Sequence, residues 1–154
     1  MAWYADLEPC DYFTPETAER LRAVSWLERG KPFATGEVTE AFFEKLCQLL
    51  QNPWNPVYCA GVHFCDLCQF SGNGSAQWRD YNISSVSSAC LFVPAAGFLY
   101  VSPTNIAHYI DAHGYRPPDE FCDAVLQCPA MRSMAYLKAI LENGGRGLKP
   151  DTLP

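Results

Sequence analysis

Between positions 59 and 68 the chain reads CAGVHFCDLC, which gathers three thiols and an imidazole, on Cys59, His63, Cys65 and Cys68, into ten residues. Such a run fixes the chain path wherever it binds a metal, whatever the surrounding hydrophobic pattern prefers. Two other uses of clustered cysteine compete with that reading. A thioredoxin-type redox pair needs a helix starting at its first thiol, and here CDLC leads into QFSGNGS, whose Ser71, Gly72, Asn73 and Gly74 oppose a helix. A disulfide framework spreads its cysteines through loops, whereas Cys47, Cys90 and Cys122 sit inside apolar patterns. A metal site with reduced core thiols accounts for both facts.

Zinc suits these ligands. In an extended strand His63 and Cys65 share a face with Cα atoms about 6.7 Å apart. Cys65-x2-Cys68 has the spacing of a zinc knuckle, in which a tight turn aims two thiolates at one point and offers them backbone N–H groups. The fourth ligand is open. Cys59 is the local choice, although extended chain would carry it ~13 Å from His63 unless Gly61 folds the strand back. His108 is the distant alternative and Cys10 a weaker one. Five residues of ideal helix set His108 and His113 about 140° apart, which predicts that they do not share an ion. His113 then reads as a cation at a helix C-terminus.

The rest of the chain bounds the scaffold. Its 154 residues, 49% hydrophobic, fit one domain. The 17 acidic and 11 basic side chains leave a net charge of −6, with the basic ones scattered, which disfavours nucleic acid and favours a protein partner of basic character. The start, MAWYADLEPCDYF, lacks the basic flank and apolar run of a signal peptide, and no stretch approaches the ~20 apolar residues of a membrane span. A cytoplasmic protein with no membrane association is the expectation.

Helix signals occur in PETAERLRAVSWLERG, in TEAFFEKLCQLLQN with Thr39 as N-cap, after Ser102 with Gly114 as terminator, in PPDEFCDAVLQC, and in MRSMAYLKAILENGG. VYCAGVHF reads as strand, SGNGS as turn, and ACLFVPAAGFLYVS as a hairpin about a four-residue connection. The predicted fold is α+β: a small antiparallel sheet with a zinc-knuckle segment, packed by N-terminal and C-terminal helices. Residues 1–143 are expected to form the domain and 144–154 a loose tail.

No zincin, deaminase, Walker or nucleotide-binding motif occurs. The reading is therefore a structural zinc site in a protein-interaction or regulatory module, such as one of immunity type. The competing reading is a zinc hydrolase with water as fourth ligand and His108 or Asp111 as general base.

The segments WYADLEPCDYF, RAVSWLERGKPF, CAGVHFCDLC and FLYVSPTNIAHYIDAHGYRPPDEFCDAVLQCP resemble an uncharacterised family of small soluble bacterial proteins. These share a G-x-H-x-C-x-x-C core and an H-Y-I-x-x-H-x-Y-x-P-P stretch. The resemblance implies a bacterial, cytoplasmic, single-domain protein and brings no mechanism with it.

Overall fold

The computed structural model describes residues 2–13, 15–56, 62–68 and 74–148. In chain order its elements are a 3-10 turn (Pro15–Arg20), β1 (Leu21–Ala23), α1 (Glu40–Leu50), β2 (His63–Phe64), β3 (Ser75–Trp78), β4 (Tyr81–Ser84), β5 (Val86–Ser87), β6 (Cys90–Pro94), β7 (Leu99–Pro103), α2 (Ile106–His113), α3 (Asp119–Gln127), α4 (Met134–Glu142) and a second 3-10 turn (Gly145–Leu148).

The sequence CLFVPAAGFLYVSP forms the expected hairpin, with Phe92 opposite Val101 and Gly97 at φ +93° in the connection. Every residue of β7 is buried, as a central strand requires, so its pattern is continuous rather than alternating. The strand beside it comes from an unexpected place. Residues 15–29 do not form the expected helix: β1 pairs in parallel with β7, Leu21 opposite Leu99, and the Val24 N–H extends the pairing to the Val101 carbonyl at 3.0 Å. The N-terminal arm then covers the outer edge of β1 through Leu7 N–H to Ala23 O (2.7 Å) and Cys10 N–H to Leu21 O (3.0 Å). Leu21 and Ala23 are buried on one face, as alternation along a strand requires, and pairing to β7 outweighs the helix propensity of the segment. The sheet, ordered β1-β7-β6, is therefore mixed rather than antiparallel, and the fold is α+β.

Helices cover this sheet. In α1, Thr39 accepts the Phe42 N–H at 3.2 Å, and Phe42, Phe43, Leu46, Cys47 and Leu49 are buried. α3 buries Phe121 and Val125 but leaves Leu126 exposed, and α4 is capped by Ser133 and buries Tyr136 and Ile140. Large aromatic residues inside the core also satisfy their polar atoms: the Trp26 indole donates to Val101 O at 3.0 Å and the Tyr136 hydroxyl to Phe92 O at 2.7 Å. Gly145–Leu148, in the segment expected to be loose, make a turn with Leu148 buried; residues 149–154 lie outside the described residues. Among the described residues no helix is long and apolar enough to cross a membrane.

The helix expected to begin at Ser102 and Pro103 starts later. Both residues end β7, and Ser102 Oγ meets Ser25 Oγ at 2.7 Å in the core. Asn105 precedes α2, fully buried, its side-chain N–H groups directed to Ser85 O and Tyr109 Oη, each at 3.3 Å. Thr104 is tied to β5 by its N–H to Ser87 Oγ at 2.9 Å.

Candidate metal centre

Those last contacts set the site. β2 pairs with β5, His63 opposite Ser87, and Ser87 also holds the chain entering α2. The residues following β2 are thereby brought against the α2 face that carries His108 and His113. Just beyond β2 the chain turns through Asp66 and Leu67. Asp66 Oδ2 accepts the Arg29 N–H at 2.9 Å and the Arg29 guanidinium reaches Cys68 O at 3.5 Å, which fastens the turn to the 29–31 loop.

Four half-buried residues then converge: the donor atoms of Cys65, Cys68, His108 and His113 all lie within 4.8 Å of one another. Cys65 Sγ is 3.3 Å from His113 Nε2, and Cys68 Sγ is 3.3 Å from His108 Nε2 and 3.6 Å from His113 Nε2. With metal–sulfur and metal–nitrogen bonds of about 2.3 and 2.05 Å, a tetrahedral ion spaces sulfur and nitrogen about 3.6 Å apart, so these contacts match the edges of one coordination tetrahedron. Both cysteines are free thiols. The residues fit a metal ion, and the S2N2 donor set is compatible with zinc.

Electrostatics agree. Burial holds the His108 imidazole below its ordinary range, with neighbouring His113 adding to the effect, and burial lowers His113 as well. Both rings are then neutral and able to offer a lone pair. Burial pushes the Cys65 thiol up, opposed by the backbone N–H groups of Leu67 and Cys68 that reach its sulfur. A bound cation would outweigh the burial and leave those two N–H groups as the knuckle hydrogen bonds to a thiolate.

The predicted ligands divide. Cys65 and Cys68 stand in the cluster, and His108 joins them. Cys59 lies outside the described residues, as does the 57–61 part of the expected strand. His63 is directed elsewhere: its Nε2 meets the Tyr12 hydroxyl at 3.2 Å. Sharing a face with Cys65 required the strand to continue, but β2 ends at Phe64 and the turn sends the Cys65 sulfur toward α2. Cys10, the weakest candidate, is buried in the core.

His113 is the residue that sequence reasoning set aside. Its ring centroid is 5.1 Å from that of His108, so the two imidazoles do meet, and partial burial lowers its pKa, which opposes the role of a helix-end cation. The 140° argument assumed ideal helix. At the end of α2 the Gly114 N–H bonds to Tyr109 O, five residues back, with Gly114 left-handed at φ +66°. The 140° separates backbone directions, and each imidazole swings about its own side-chain torsions to meet the other.

No curated protein and no solved structure matches the chain. A family model described as a domain of unknown function (DUF7919) matches residues 2–126, a span that includes all four clustered ligands, and the chain belongs to that family.

Proposed function

We propose that one zinc ion, held by Cys65, Cys68, His108 and His113, cross-links the knuckle to α2, and that the chain acts as a non-enzymatic interaction or regulatory module, of the kind an immunity protein would be. The closed donor set carries this reading: protein side chains supply all four corners of the tetrahedron, which leaves no position for a reactive water. A cytoplasmic setting, where thiols stay reduced, suits a site built on two of them. Of the two general bases open to the hydrolase reading, His108 faces Cys68 through its Nε2 and Asp111 is exposed.

Metal analysis of purified protein should give about one zinc per chain, and X-ray absorption a shell of two sulfurs and two nitrogens. Two sulfurs, one nitrogen and one water oxygen would reopen the hydrolase, and purified protein without metal would remove the site.

A further inference from the structure

A hollow of about 360 Å³ lies beside the knuckle, between residues 62–66 and the Leu27–Glu28 segment. Its walls include Leu27, Val62 and Phe64, and Val62 and Phe64 are 50% and 55% exposed. Among the described residues large apolar side chains are otherwise exposed only at Leu126 and Met134. Glu28 and Asp66 supply two carboxylates, and among the described residues no lysine or arginine lines the hollow. The guanidinium of Arg29, next in sequence to Glu28, reaches Cys68 O. Apolar walls with carboxylates match one kind of group, a cation on an aliphatic stem.

We propose that this hollow binds a lysine or arginine side chain of a protein partner, with a flanking apolar residue of that partner resting on Val62 and Phe64. Charge selects this occupant. A second copy of the chain brings a net charge of −6 to an acidic rim, and a nucleic acid brings phosphates. A basic segment is attracted by both the rim and the molecule's overall field. The proposal rests on the zinc reading in one respect: the ion anchors Cys65 and Cys68, and through them the wall from Val62 to Asp66.

The test uses ¹⁵N-labelled full chain loaded with zinc, titrated with the capped peptide Val-Lys-Val-Lys-Val and with its glutamate counterpart. Saturable amide shifts should centre on residues 27–28 and 62–66 with the lysine peptide and be absent with the glutamate one. Glu28→Gln and Phe64→Ser should each weaken binding about fivefold, a loss typical of one surface ion pair or one rim contact, with zinc content unchanged. Phe64 is exposed, and Glu28 is half-buried but Gln has nearly the same volume, so the variants should fold. With zinc at one per chain, no shifts, shifts centred elsewhere, or binding that ignores both substitutions would overturn the docking site and leave the zinc reading intact. Zinc is assayed on every sample, so a metal-free preparation counts against the metal reading alone.

Discussion

Each thiol of the cluster faces an imidazole, Cys65 toward His113 and Cys68 toward His108. If ~10–16 kcal/mol of zinc binding is shared among four ligands, losing one costs about 3 kcal/mol, or roughly a hundredfold in affinity. Cys65→Ser, Cys68→Ser, His108→Ala and His113→Ala should all show that loss in a competition titration with a chromophoric chelator. His63→Ala should change affinity by no more than a few fold; a hundredfold loss there, with His113→Ala silent, would restore the strand-based ligand set. Cys47→Ala serves as the control thiol, since Cys47 is packed in the core and should keep its zinc while losing roughly 1 kcal/mol of stability. Asp6 offers a different test. Burial raises its carboxyl above the ordinary value of 3.8, against the lowering pull of the Ser25 N–H and Tyr115 hydroxyl that it accepts. Because the folded state binds that proton more tightly than the unfolded chain, the associated stability is full below about pH 4 and is lost as pH rises through the raised folded value. Urea unfolding from pH 4 upward should show wild type losing stability relative to Asp6→Asn, and parallel curves would mean that Asp6 titrates normally.

The end of α2 is where element geometry and metal affinity meet. Gly114 is left-handed with nothing near the place a Cβ would occupy, so Gly114→Ala carries only the backbone cost of about 1 kcal/mol. Gly97, also at positive φ with open space around it, carries the same cost in the β6–β7 connection. The pair separates stability from positioning: both alanine variants should lower the melting temperature similarly, while only Gly114→Ala should weaken zinc binding by displacing His113. Equal zinc affinity in the two would show that the left-handed cap does not help to place the ligand. The same elements explain what could be read beforehand. α1, α3, α4 and the β6–β7 hairpin were legible because each carries its own cap, periodicity or turn residue. Cys65 and Cys68 were legible because a knuckle is local. β1 was not, because its partner is distant in the chain and its apolar spacing satisfies a helix equally well. His113 was not, because the angle between two backbone directions does not fix where two imidazole rings end.

Across the molecule, most of the core lies away from the cluster. Trp26, Tyr136, Phe42 and Phe92 are buried elsewhere and only Tyr109 among the large core aromatics neighbours His108 and His113, whereas residues 62–68 are held by a two-residue strand, the Arg29 contacts, the packing of Cys65 and Leu67 on the core and the proposed ion. Chelation at pH 7 should therefore lower the melting temperature by several degrees and expose the 62–68 amides to hydrogen exchange while those of β6 and β7 stay protected. A melting temperature indifferent to chelator would defeat a structural role for zinc, and loss of protection throughout would mean that the ion governs the whole fold. The parallel pairing of β1 with β7 has a bearing on time. The Ser25–Ser102 hydrogen bond between the two strands joins residues 77 apart, so the first strand of the central sheet is synthesised long before its neighbour. Such closure is slow relative to local contacts. Cys68 likewise precedes His108 by 40 residues. A growing chain thus carries two bare thiols ahead of both imidazoles and ahead of β6 and β7, and those sulfurs must stay reduced until α2 arrives to enclose them.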